Sequence, residues 1–102
     1  MQENPVFVVV EVVSVQDAEG LRTYAKRASE LIGPLGGLVV AQGAIPVGDE
    51  AGFSPLVIQR WPSEAAFRAW LESDAYQPLN KLRLASATMR AAIVPITAGP
   101  DL

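Results

Sequence analysis

Residues 6–15 read VFVVVEVVSV. Valine dominates the run, and β-branched residues favour strands. Side chains alternate across a strand, so Val6, Val8, Val10 and Val12 share one face. Phe7, Val9, Glu11 and Val13 share the other. A strand with one wetted face would alternate apolar with polar. Here both faces are apolar apart from Glu11, so both need a cover. That demand limits the fold more than any other stretch of the chain.

The strand is predicted over 6–13. Asp17 suits the N-cap of a following helix, and Glu19 adds negative charge to its first turn. Leu21, Ala25, Ala28, Ile32 and Leu35 recur at helical spacing, flanked by Tyr24 and Leu31. Arg22, Lys26, Arg27 and Glu30 fall on the opposite side. Gly33 and Pro34 are expected to stop the helix.

GGLVVAQG then reads as a second strand, AIPVGDEAGFSP as a loop and LVIQRW as a third strand. PSEAAFRAWLESDAY reads as a second helix capped by Ser63, with Phe67, Trp70 and Leu71 facing the core. Pro78 breaks the pattern, so residues 77–86 form a separate helical segment with Leu79, Leu82 and Ala85 or Ser86 inward. MRAAIVPI is the last strand, and Pro95 places its end at a sheet edge. The tail TAGPDL is expected to be loose.

This order is that of the α+β, ferredoxin-like βαββαβ plan, a four-stranded antiparallel sheet. Right-handed crossovers put both helices on one face. The all-valine face of the first strand is assigned to the helices, which leaves Phe7 and Val9 on the open one. Strand two gives Val39 and Ala41 against Leu38, Val40 and Gln42. Strand three gives Leu56, Ile58 and Arg60 against Val57, Gln59 and Trp61, so no strand has a fully polar side. The open face is more apolar than a monomer tolerates, and the expected cover is a second copy of the chain, forming a homodimer sheet to sheet.

Residues 1–102 suffice for a single domain of this kind. Half are hydrophobic and only 19% are charged, which fits a surface hidden against a partner. The net charge of −3 counts against nucleic acid as a partner. No cysteine or histidine occurs, which removes disulfides, thiolate nucleophiles, the commonest general base and the usual metal and haem ligands. Asp49 and Glu50 have no third ligand in register, so no metal site and no cofactor are expected. GPLGG lacks the spacing of a phosphate cradle. No apolar run reaches the roughly 18 residues of a membrane span. With no signal-peptide pattern, the expected location is the cytoplasm.

Several of these residues also match a known pattern: Gly36 and Gly37 before strand two, then Pro62, Ser63, Ala65, Ala66 and Trp70. Ser73 and Tyr76 follow, then Leu82, Arg83 and Ala85 before the last strand. The chain thereby resembles domain-of-unknown-function family 1330, of the dimeric α/β-barrel superfamily, most densely over residues 57–94. The resemblance implies a ferredoxin-like homodimer and no particular activity. Two positions depart from the pattern. Leu38 stands where the family often has a basic or polar residue, and Gln42 where it often has arginine. Any anion site those arginines form in relatives would be lost here.

Glu11 is the leading candidate for chemistry. An ionised carboxylate between two sheets is costly unless paired. One expectation is a structural ion pair with Arg60 or Arg90. The other is catalysis, with Glu11 a general base strengthened by desolvation and Arg60 or Tyr76 steadying an oxyanion. Tyr24 and Tyr76 could serve a pocket between helices and sheet as hydrogen-bond donors. Gln42, Trp61, Arg83 and Arg90 complete the candidate ligand contacts, with Trp61 at the barrel mouth. Arg83 is expected to bridge to a carboxylate or a helix end, with anion binding as the sharper alternative. Ser63 is read as a helix cap, because no histidine exists to activate it. The leading expectation is a binding protein for a small organic molecule in an apolar pocket. The alternatives are a cofactor-free monooxygenase- or isomerase-like enzyme and a module that only dimerises.

Overall fold

Val6 and Val8 decide which side of the first strand turns inward. Both are buried, whereas Phe7 and Val9 between and beyond them are only half-buried. The all-valine face therefore packs against the helices. The computed structural model describes residues 4–48 and 52–97. Asp49, Glu50 and the tail from residue 98 lie outside the described residues.

Four strands and three helices follow one another as β1 (Val6–Val15), α1 (Ala18–Ile32), β2 (Leu38–Gly43), β3 (Leu56–Trp61), α2 (Glu64–Glu72), α3 (Tyr76–Ser86) and β4 (Ala87–Pro95). The strands form one antiparallel sheet in the order β2-β3-β1-β4, with β1 between β3 and β4. This is the βαββαβ plan, with β4 at an edge as Pro95 indicated. The helices cover one face, and their buried residues Ala28, Ile32, Phe67, Trp70, Tyr76 and Leu79 form a single core with Val6, Val8 and Trp61. A fully buried side chain of this size contributes about 1.5–3 kcal/mol relative to exposure.

Both predicted caps are made. The Asp17 carboxylate accepts from the Gly20 N–H at 3.0 Å, and the Ser63 hydroxyl accepts from the Ala66 N–H at 3.0 Å. The end of α1 differs from expectation. Gly33 keeps helical dihedrals, and the chain tightens into a 3₁₀ turn over Gly33–Leu35. Pro34 has no N–H to continue the α ladder, so the tighter turn takes over. The reversal falls at Gly36, whose φ of 92° is left-handed and whose N–H donates to the Gly33 carbonyl. Gly37 meets a different need: it lies against the Trp61 ring, where a Cβ would not fit.

Two bulges alter the strand alternation. Between Val39 and Ala41 the β2–β3 register shifts, leaving Val40 as an extra residue. Gln42 then pairs with Val57 and shares its face with Val39, not with Leu38 as simple alternation predicted. A second shift, between Val12 and Ser14, lets β1 run to Val15 and pair with Thr88 and Ala87. That pairing starts β4 two residues earlier than predicted, directly at the end of α3.

Three core expectations are corrected. Leu35 is exposed because it sits in the 3₁₀ turn, off the stripe of α1. Ala25 is exposed along the side of α1. Leu71 lies at the rim of α2, whereas Phe67 and Trp70 are buried as expected. In α3 it is Ser86, not Ala85, that turns inward.

Candidate functional site

The helices do not close onto the sheet along its full length. Between them lies a cleft of about 1030 Å³. Its floor is the inner face of the sheet, with Val10, Val57, Ala91 and Ile93 contributed by three strands. Leu21 and Ala28 of α1 and Phe67 of α2 supply apolar walls. A volume of this order suits a small organic molecule, for which pockets of roughly 300–1,000 Å³ are usual.

One polar cluster stands in this apolar lining. The hydroxyls of Tyr24 on α1 and Tyr76 on α3 lie 3.2 Å apart. A hydroxyl pair spends one proton on its own hydrogen bond and keeps the other to donate. Tyr76 is buried, its ring 4.9 Å from that of Trp70, which fixes its direction. Burial pushes the Tyr24 phenol far above its ordinary range, the Tyr76 hydroxyl adds to the rise, and Arg83 opposes it. Tyr24 is therefore neutral, and able to donate, at any physiological pH.

Arg83 comes from the same helix as Tyr76, seven residues on, so the two share one helical face. Its Nε and Nη2 donate to Asn80 Oδ1 at 3.1 and 2.7 Å. Asn80 lies one turn back on α3 and holds the guanidinium in place while leaving its charge intact.

Of the residues read from sequence as ligand contacts, Tyr24, Gln42, Tyr76 and Arg83 border the cleft, and Arg90 reaches its edge from β4 but is ion-paired with Glu11 on the opposite face of the sheet. Gln42 arrives at the cleft only because of the Val40 bulge. Trp61 does not line it: the indole is fully buried against Phe67, ring centres 5.4 Å apart, and its Nε1 donates to Gln59 at 2.8 Å. The expectation of a barrel-mouth tryptophan is thus replaced by a core role.

The structure does not bring the proposed catalytic pair together. Glu11 is ion-paired with Arg90, its direct cross-strand partner on β4. Arg60 instead sits opposite Phe7, four residues along β1 from Glu11. Glu11 and Arg60 both face away from the cleft, on the sheet side the helices leave open.

Sequence reasoning missed Gln59 and Arg22. Gln59 reaches the cleft from the inner face of β3. Arg22 is exposed, as its place on the solvent side of α1 predicts, and it also borders the cleft with Ala25 and Ser29. Those residues stand three and seven positions after it, and their small side chains were the available signal for an open helix flank. Among the described residues no three metal-ligating side chains converge, and no helix is long and apolar enough to cross a membrane.

The model of a domain of unknown function, DUF1330, matches residues 5–97. The chain belongs to that family. In this DUF1330 chain the double glycine and the Ser63 cap of α2 each have a visible physical basis. A protein of unknown function from Rhodopseudomonas palustris has a similar structure, with a TM-score of 0.78 at 22% identity over 96% of this chain and 86% of that one. SnoaB, a cofactor-independent oxygenase from Streptomyces nogalater, is similar with a TM-score of 0.68 at 21% identity over 97% of each chain. A dimeric ferredoxin-like protein of unknown function from Thermobifida fusca gives 0.59 at 13% identity over 94% of each. At these identities the likeness establishes a ferredoxin-like fold for this DUF1330 chain. Comparison with curated proteins finds no match.

Proposed function

We propose that this protein binds a small organic molecule in the cleft between its helices and its sheet, acting as a homodimer. The observation that carries the reading is the Tyr24–Tyr76 hydroxyl pair within a mostly apolar cleft of about 1030 Å³. A few directed polar groups in an apolar pocket are the usual basis of small-molecule recognition.

The dimer forms through the open face. Phe7, Val9, Ile58 and Ala92 share that face with Leu38 and Val94, whose exposures are 62% and 42%. Ile45 and Val47, just after β2, are 94% and 100% exposed. So much exposed apolar surface favours burial against a partner, and the Thermobifida relative is described as dimeric.

The binding reading is tested by thermal denaturation with a panel of small aromatic and aliphatic acids, amides and alcohols. A ligand of the folded state raises Tm in proportion to its saturation. Ala25 lines the cleft yet is exposed, so Ala25→Trp fills the space without entering the core. Stabilisation by panel members that disappears in A25W supports the reading. No stabilisation at all, or stabilisation that survives A25W, overturns it.

A second reading extends the likeness to SnoaB and makes the chain a cofactor-free oxygenase or isomerase with Glu11 as base. Because Glu11 lies on the open face, its substrate would sit between the two sheets of the dimer. This reading requires turnover that Glu11→Gln abolishes, and full activity in E11Q would remove it.

A further inference from the structure

The charge around the cleft is opposite to that of the chain. The protein carries eleven acids against eight bases, a net −3. Among the described residues, however, Arg22, Arg68 and Arg83 border the cleft from the helices and Glu64 is the only acid with them. Arg68 is neutralised by Glu64 at 2.7 Å, and Arg90, which reaches the border from β4, is turned to the open face with Glu11. Arg22 and Arg83 have no carboxylate in ion-pair range among the described residues.

Arg83 is the more telling of the two. It is half-buried, and its hydrogen bonds go to the neutral amide oxygen of Asn80. A guanidinium withdrawn from water and left without a counter-charge is unfavourable. An aspartate in place of Asn80 would relieve this and would also cancel the charge. The amide instead orients the fork, leaves Nη1 free to donate, and keeps the full positive charge beside the Tyr24–Tyr76 pair. Planar arginine forks match carboxylates and similar oxyanions better than any other side chain.

We infer that the cleft selects an amphipathic organic anion, with its apolar body on the valine floor of the sheet and its carboxylate, or an oxyanion of like shape, on Arg83 and the free phenol proton. The inference rests on the cleft being the binding site and adds the class of ligand it takes. Arg22 adds a second positive charge to the same border.

The test uses two probes of the same shape, 2-naphthoate and 2-naphthamide, titrated against the full chain by intrinsic fluorescence. The anion is expected to bind at least about tenfold more tightly, as a charge-assisted hydrogen bond implies. Arg83→Gln should bring the two affinities to within about twofold by weakening naphthoate far more than naphthamide, since only the anion loses a charge-assisted hydrogen bond. Arg83→Lys, which keeps the charge and loses the fork, should fall between. An unchanged melting temperature in R83Q without ligand separates loss of recognition from loss of fold. Equal binding of both probes overturns the anion inference and leaves the binding reading intact. An anion preference that persists in R83Q overturns the role of Arg83. Failure of both probes to bind overturns the binding reading and this inference with it.

Discussion

A Cβ built on Gly37 would lie 2.8 Å from Cζ2 of Trp61, with the Ile32 Cβ at 3.0 Å on another side. The backbone entering β2 thus rests directly on Trp61, the largest fully buried side chain among the described residues. Gly37→Ala forces either the indole or the strand to move, and an overpacked core site of this kind costs about 1–3 kcal/mol. Gly36→Ala carries two costs: about 1 kcal/mol for its left-handed φ of 92°, and a Cβ 2.9 Å from the Pro62 Cγ. Urea denaturation should show both variants less stable than the parent. A G37A protein as stable as the parent would mean that the indole contact does not require the second glycine.

Tyr24 makes stability fall in alkali. Its folded-state pKa is raised above the unfolded value of about 10, so the folded protein holds the proton where the unfolded chain has released it. The stabilisation is complete below the unfolded value and is lost as pH climbs above it toward the folded one. Chemical denaturation at pH 9 and at pH 11 should therefore show a larger loss for the parent than for Tyr24→Phe. The tyrosinate absorbance of the folded parent should likewise lag behind that of Y24F plus one free tyrosine. Parallel losses in both proteins would show that Tyr24 titrates normally.

Glu11 and Arg90 form a cross-strand pair whose side chains are 26% and 78% exposed in one copy of the chain. Left wet, such a pair is worth about 0–1 kcal/mol and weakens in salt. Glu11→Gln in a monomeric background should thus change stability little, and less again in 1 M salt. In the dimer the same change should cost more, because Arg90 would be left unpaired between two sheets. A double-mutant cycle with Arg90→Met, run in both backgrounds, measures the difference.

Val9→Lys is the variant that provides the monomeric background. Val9 lies on the open face between Ile58 and Ala92 of the neighbouring strands. A lysine there cannot be buried against a copy of itself. Light scattering should give the parent twice the mass of its 10.9 kDa chain and V9K a single chain. A parent that is already monomeric would remove the dimer.

Ser63 caps α2 from a buried position, and its hydroxyl holds the Ala66 N–H. Ser63→Ala should cost about 1 kcal/mol. Ser86 is also buried, but its hydroxyl has no partner. Ser86→Ala therefore loses no hydrogen bond and should leave stability the same or higher, and the paired melting curves test both statements.

The element order was readable because its signals are local. Asp17, Ser63 and Pro78 each act within a turn of their own position, and the all-valine face of β1 needed only a count by twos. The cleft was partly readable: Tyr24 and Tyr76 read as core-packing tyrosines with polar tips for a pocket between helices and sheet, whereas the carboxylate or helix-end bridge expected of Arg83 is replaced by the neutral Asn80 amide. What escaped depends on distant partners. Nothing near Trp61 in sequence says that Gly37 and Phe67 will enclose it. Whether Glu11 meets Arg60 or Arg90 is a matter of strand register, which pairs it with the arginine 79 residues away. Arg22 is exposed as its side of the helix predicts, and its place beside the cleft was not legible because the cleft opens along the small residues Ala25 and Ser29.

Val40 is supernumerary in its ladder. Losing one residue from a strand ordinarily turns every later side chain to the wrong face. Excision of Val40 would do the opposite: Leu38 and Val39 would keep their neighbours on β3, and so would Ala41 and Gln42. A lineage could shorten here while its cleft retained the glutamine. One that kept the length but ironed the strand flat would swing that amide out among the hydrophobic residues on the far side.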